Sequence, residues 1–161
     1  MYDCPRLESF LEWGSFSRLS HISISNCEKL FSVRVQWKLE RFTYLEKLSL
    51  SFCNVGVDSF PEEDLLPTTL TSLYIYNCPN LKALNGKSLQ QLSSLETLHF
   101  HDCKELQYLP EEGLPTSVRH LTIDDCPLLT ERCQRESGED WPKIAHISRI
   151  EIDGEHMHSR N

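Results

Sequence analysis

The sequence predicts an α/β solenoid: a parallel sheet on a concave face, with mostly loops and short helical turns on the convex face. Three observations carry that expectation. Six of the seven cysteines, Cys4, Cys27, Cys53, Cys78, Cys103 and Cys126, are spaced by 23, 26, 25, 25 and 23 residues, and a period in the twenties marks a repeat protein. Leu supplies 24 of the 161 residues, whereas Ala occurs only at Ala83 and Ala145. That ratio is unlike an ordinary helix-rich enzyme, because Ala is the best helix former. Apolar residues also recur at fixed offsets from each cysteine.

The offsets define a template with apolar residues at positions 1, 4, 6 and 12 and Cys at 9. The copies read Leu19, Ile22, Ile24, Cys27, Leu30; Leu45, Leu48, Leu50, Cys53, with Gly56 at position 12; Leu70, Leu73, Ile75, Cys78, Leu81; Leu95, Leu98, Phe100, Cys103, Leu106; and Val118, Leu121, Ile123, Cys126, Leu129. Of 25 sites, 24 fit, where the hydrophobic content of 39% would give about 10 by chance. Each copy reads L-x-x-L-x-L-x-x-C-x-x-L, the leucine-rich repeat. Positions 4 and 6 share one face of a strand, because side chains alternate with period two, and positions 3, 5 and 7 take the other. One such strand cannot bury its apolar face alone, so neighbouring copies must stack. Each buried Leu or Ile is worth about 1.5–3 kcal/mol before entropy is subtracted. Cys at position 9, small and apolar with a weak S–H donor, reads as a reduced packing residue where the chain turns inward.

The connections alternate. Residues 60–70, with Phe60-Pro61-Glu62-Glu63 and Leu66-Pro67-Thr68-Thr69, align with 109–118, Leu109-Pro110-Glu111-Glu112-Gly113-Leu114-Pro115, after one deletion. Their prolines fix φ and remove donors, so extended or turn-like backbone is expected. Residues 38–45 and 87–95 space apolar residues by three and predict short helical turns. Near the end, Ile147, Ile150 and Ile152 repeat positions 1, 4 and 6, and Trp141 is expected to cover this last rung. The repeat domain is assigned to residues 1–154, about six repeats truncated at the N-terminal side, since Tyr2-Asp3-Cys4 is the latter half of a copy. Residues 155–161 are assigned to a polar tail, with His156 and His158 expected to be disordered.

Composition narrows function. The net charge of -8, from 16 Lys plus Arg and 24 Asp plus Glu, disfavours nucleic acid, which needs clustered cations. No apolar run is long enough for a membrane span. MYDCPRLESF lacks the basic and apolar regions of a signal peptide. No C-x2-4-C pair supports a zinc site. Flat exposed strands offer no pocket or oxyanion hole, so no enzymatic activity is expected. The paired carboxylates Glu62-Glu63 and Glu111-Glu112 read as solvated loops.

Cys rather than Asn at position 9, the phrase Phe60-Pro61-Glu62-Glu63 ahead of Leu66-Pro67-Thr68-Thr69-Leu70, and the ending from Asp125-Cys126-Pro127 through Trp141-Pro142-Lys143-Ile144-Ala145-His146-Ile147 resemble the C-terminal repeats of plant intracellular disease-resistance proteins. These are of the coiled-coil, nucleotide-binding, leucine-rich-repeat class. The resemblance implies a cytoplasmic sensor region that recognises pathogen effectors or effector-modified host proteins and helps to hold the receptor inactive, contacting its own nucleotide-binding domain. ADP or ATP would bind that upstream domain. Gly86-Lys87-Ser88 has no Gly in P-loop register, the nearest upstream being Gly56, so no cofactor is assigned to this chain. The alternative is the substrate arm of another cytosolic scaffold, such as an F-box ubiquitin ligase. A secreted receptor ranks lower, without an N-x-[ST] sequon.

The face formed by positions 3, 5 and 7 carries the partner-binding candidates: Lys47, Tyr74, Tyr76, His99, His101, His120, Asp124 and Arg149. With strands about 4.8 Å apart, Tyr74, Tyr76, His99, His101, His120 and Asp124 are expected to form one patch. Large amphipathic rings on a rigid sheet suit protein recognition. Closed metal coordination is not expected from three His on a sheet.

Overall fold

The computed structural model describes residues 1–9, 18–53, 56 and 58–157. It is an α/β structure with a mostly parallel sheet and few helices. The sheet strands are β1 (His21–Ser25), β2 (Lys47–Ser51), β4 (Ser72–Tyr76), β6 (Thr97–His101), β7 (His120–Asp124), β8 (Arg149–Ile152) and β9 (Glu155–Met157), in that spatial order. A small second sheet pairs β3 (Ser59–Phe60) with β5 (Ala83–Leu84), and Ala83 also bridges Tyr108. The helices are short: α1 (Glu28–Ser32), α2 (Gly86–Gln90), α3 (Pro127–Arg132) and α4 (Trp141–Ile144).

Strands that follow one another along the main sheet are parallel from β1 to β8, and their template positions align. Position 4 runs Ile22, Leu48, Leu73, Leu98, Leu121 and Ile150; position 6 runs Ile24, Leu50, Ile75, Phe100, Ile123 and Ile152. Every one of these side chains is buried. The alternation seen in the sequence is therefore the alternation between core and outward faces. The connections behave as their composition dictates. Residues 61–70 and 109–118 are mainly turns, residues 39–41 form a 3-10 turn, and Asn85 accepts a hydrogen bond from the Ser88 N–H (3.2 Å) to cap α2. Such a cap contributes about 1 kcal/mol. Trp141 is partly buried and packs against the core.

All seven cysteines carry free thiols. Those at position 9 from Cys27 to Cys126 are buried. The thiols of Cys27, Cys78, Cys103 and Cys126 each donate to the carbonyl two residues back, at 3.2–3.6 Å. The shared S–H contact with Cys78 and burial push the Cys53 thiol far up. Contact with Cys103 and burial do the same to Cys126. Burial and the nearby Asp140 push Cys133 up to about 12. Thiols so protonated are poor nucleophiles, in keeping with a packing role.

Position 8, just before each cysteine, has a conformation that the template did not reveal. Asp3, Asn26, Phe52, Asn77, Asp102 and Asp125 all have φ between 50° and 54°. Asn and Asp tolerate this left-handed region best among side chains with a Cβ. The bend aims the position-8 N–H at the next strand: Asn26 donates to Ser51 O, Phe52 to Tyr76 O, Asn77 to His101 O and Asp102 to Asp124 O, at 2.8–3.1 Å. Phe52 departs from the Asn/Asp rule. At the N-terminal side, Tyr2, Asp3 and Cys4 reproduce positions 7, 8 and 9. Tyr2 bridges Ser25, the Asp3 N–H donates to Ser25 O, and the Cys4 thiol donates to Tyr2 O.

Two expectations need correction. His156 is not disordered: β9 pairs antiparallel with β8, with Ile152 opposite Glu155. The cause is Asp153-Gly154, whose φ values of 48° and 78° suit a two-residue hairpin turn. His158 lies outside the described residues. The outward positions are also not uniformly solvated. Ser25 is covered by the N-terminal segment that hydrogen-bonds to it, and small Ser72 is sheltered in register between Lys47 and Thr97.

Candidate protein-recognition face

The register builds the outward face as three rows. Position 3 gives His21, Lys47, Ser72, Thr97, His120 and Arg149. Position 5 gives Ser23, Ser49, Tyr74, His99, Thr122 and Glu151; position 7 gives Ser25, Ser51, Tyr76, His101 and Asp124. The first two strands offer mostly serines. The bulk is concentrated on β4 and β6, where position 5 places Tyr74 beside His99 and position 7 places Tyr76 beside His101.

These four rings touch. Tyr74 and Tyr76, two residues apart on one strand, stack with centroids 6.2 Å apart and planes 12° from parallel. His99 lies against both, 6.1 Å from Tyr74 and 5.1 Å from Tyr76. His101 meets Tyr76 edge-on at 6.2 Å. Asp124 completes the group from β7, its Oδ2 3.7 Å from His99 Nε2, with the two side chains 30% and 25% exposed. That separation is an ion pair only when His99 is protonated, and it exceeds hydrogen-bond range. Nδ1 of His101 is shielded from water and has no hydrogen-bond partner among the described residues.

The surroundings set the charge of the cluster. Burial lowers the His99 pKa; Asp124 and Glu151 oppose that shift and His101 adds to it. The imidazole is therefore neutral at neutral pH. Burial, and secondarily Tyr74, raise the Tyr76 phenol, so it keeps its proton. The result is a half-buried aromatic platform bordered by one carboxylate. Among the described residues, no group of three or more His, Cys, Asp or Glu side chains is placed to hold a metal ion.

Tyr74, Tyr76, His99, His101 and Asp124 are thus brought together, as the register implied. His120 is not part of that contact group. It stands in the position-3 row between Thr97 and Arg149. Lys47 and Arg149 lie in the same row on other strands, and Arg149 approaches Glu151 at 3.9 Å. A residue that sequence reasoning missed is Asp140. Its carboxylate is fully buried beside the small sheet's end of the molecule, accepting from the Leu109 N–H at 2.8 Å, from Arg132 Nε and Nη2 at 3.1 and 3.2 Å, and pairing with Lys143 Nζ at 3.0 Å. Lys143 Nζ also donates to Leu109 O at 3.1 Å. The available signal was an Asp flanked by Arg132 and Lys143 in the longest connection. Among the described residues, no helix is long and apolar enough to cross a membrane.

No protein-family model matches the chain. Over 143 residues, 88% of the chain, it is 38% identical to a putative disease resistance protein of Arabidopsis thaliana, of which the match covers 10%. Over 52 residues, 31% of the chain, it is 46% identical to a second putative disease resistance protein, from Solanum bulbocastanum, of which the match covers 5%. The chain thus spans about a tenth or less of the length of these curated relatives. The resemblance drawn from the Phe60–Glu63 phrase and the Trp141 ending is borne out by relatives of that description.

Proposed function

We propose that this chain is a leucine-rich-repeat solenoid that recognises another protein through its outward strand face, as the sensor region of a plant immune receptor in the cytoplasm. Its partner is a pathogen effector or a host protein that an effector has altered. In the full-length receptor the same region contacts the nucleotide-binding domain and helps to keep it inactive. The reading involves no catalysis and no cofactor in this chain.

The observation that carries the reading is the contact group of Tyr74, Tyr76, His99 and His101 on adjacent, in-register strands. Their backbones are fixed by the ladder and their rings by one another, so little side-chain entropy remains to be lost on binding. Tyr is enriched among residues that dominate interface energies. The descriptions of the relatives supply the immune context.

The test is to place Tyr76→Ala and His99→Ala in the full-length receptor and score effector-dependent cell death. Both changes should reduce the response about tenfold or more, while the unfolding midpoint of the isolated chain stays near that of the wild type. Unchanged responses from both variants would remove the face from the recognition surface.

A further inference from the structure

On the β6 and β7 side of the tyrosine pair the face is lined by carboxylates, while Lys47 stands on β2 at the other side. Asp102 follows His101, Asp124 borders His99, and Glu151 stands in the His99 row one strand beyond Thr122, where Arg149 and His156 approach it at 3.9 and 3.5 Å. Lys104 spans Asp102 and Asp125 at 2.9 and 3.3 Å, so that cation is already engaged. His99 is held neutral by burial and does not repel a cation. Neither carboxylate oxygen of Asp124 accepts a hydrogen bond from any described residue, and its nearest charge partner is His99 at 3.7 Å.

A second observation concerns the rim. Phe52 occupies a left-handed position that Asn or Asp fills at the other rungs, and it is 49% exposed. Its N–H donates to Tyr76 O at 3.1 Å, which places it next to the tyrosine strand. A bulky residue held in this region is a genuine outlier and costs about 1–2 kcal/mol. Strain of that kind clusters at ligand clamps.

We propose that the Tyr74–Tyr76 platform takes an arginine side chain from the partner protein, with the guanidinium stacked on the phenol rings and paired to Asp124. A planar, weakly hydrated cation matches both halves of the site: it stacks on aromatic faces, and its fork fits a carboxylate. Lysine offers a compact, strongly hydrated charge that satisfies the carboxylate but not the rings. An acidic side chain meets repulsion from Asp124 and from a chain of net charge -8. The inference rests on the reading that this face grips a protein, and it specifies the side chain that is gripped.

The experiment is an NMR titration of the 15N-labelled chain with three peptides, acetyl-GSXGXSG-amide with X as Arg, Lys or Glu. The Arg peptide should shift the amides of Tyr74, Tyr76, His99, His101 and Asp124. It should bind about fivefold more tightly than the Lys peptide, and the Glu peptide should not bind. Asp124→Asn and Tyr76→Leu should each weaken Arg binding by about fivefold or more. Binding of the Glu peptide as strong as that of the Arg peptide, Arg shifts confined to another surface, or Arg affinity unchanged in both variants would overturn the assignment. Failure is separable from failure of the broader reading. Loss of the cell-death response in Tyr76→Ala without Arg-peptide binding leaves a protein-recognition face whose anchor is not arginine. Arg-peptide binding with intact responses removes the face from immune recognition instead.

Discussion

Asp124 and Asp140 are carboxylates on the same framework under opposite conditions. Asp140 is wholly buried, and both its oxygens are engaged by Arg132, Lys143 and the Leu109 N–H. Asp124 is partly exposed and its oxygens have no hydrogen-bond donor among the described residues; its neighbour His99 stands 3.7 Å away. Burying a charge is costly unless it is paired and hydrogen-bonded. The Asp140 arrangement meets that condition and ties the long connection around α3 and α4 back to Leu109, 31 residues earlier. The strand face leaves polar capacity open, at Asp124 and at Nδ1 of His101. Closed polar groups tie the long connection to the fold here, whereas Asp124 and His101 stand open on the strand face; Arg34 Nε, Glu62 Oε2 and Ser88 Oγ are unpaired elsewhere among the described residues.

The largest effect that tests this contrast belongs to Asp140→Ala. It leaves the Leu109 N–H without its acceptor and two cations without their shared partner. Removing one member of a buried pair costs about 3–5 kcal/mol; because Arg132 and Lys143 keep 35% and 19% of their side-chain surface in water, the expected loss is about 3 kcal/mol. Urea unfolding followed by far-UV circular dichroism measures it. Asp124→Ala in the same experiment should change stability by less than about 1 kcal/mol, as for other exposed pairs. Equal losses would erase the distinction between the two carboxylates.

The pH dependence sharpens the same comparison. Burial tends to raise the Asp140 pKa, but the hydrogen bonds from Arg132, Leu109 and Lys143 outweigh it and hold the carboxyl below its ordinary value. A carboxyl whose pKa is depressed in the folded state stabilises the protein above the unfolded value, near pH 4, and that contribution disappears as pH falls through the folded value. The stability gap between wild type and Asp140→Asn should therefore be constant from about pH 7 to 5 and narrow steadily below about pH 4. Urea midpoints across that range give the curve. A gap that stays constant down to pH 2 would show that the carboxylate's charge contributes nothing.

How much of this was legible follows from which interactions repeat. The apolar ladder was readable because Leu48, Leu73, Leu98 and Leu121 all obey one spacing and all need one environment. The tyrosine–histidine contacts followed from the same register, since a strand's alternation fixes which residues meet across it. His120 shares the face but stands outside the ring contacts, because its row is position 3, four residues along the strand from Asp124 at position 7. The Asp140 clamp was not legible: Asp140, Arg132 and Lys143 all lie in a non-repeating connection, so no period announces their meeting with Leu109. The β8–β9 hairpin had a local signal in Asp153-Gly154, flanked by Ile152, that carries the turn preference directly. Left-handed position 8 was not read from the sequence, although Asp3, Asn26, Asn77, Asp102 and Asp125 before successive cysteines carried the signal.

The smallest expected effect tests whether Phe52 belongs with the open polar groups of the strand face. At the equivalent rungs Asn and Asp accommodate φ near 50°, because a short polar side chain bonds locally in that region. Phe52 has no such compensation and leaves an aromatic side chain 49% exposed. Phe52→Asn retains the backbone N–H that donates to Tyr76 O, restores the residue type that the other rungs use, and gives up the covered half of the ring, worth about 1 kcal/mol against about 1–2 kcal/mol of relieved strain. It should raise stability by up to about 1 kcal/mol, read as a higher urea midpoint with an unchanged slope, while reducing partner recognition in the full-length receptor. A gain in stability with recognition intact would make Phe52 an unselected imperfection of the ladder. A loss of stability would mean that its ring packs on the chain itself and contributes to the fold, as the closed groups around Asp140 do.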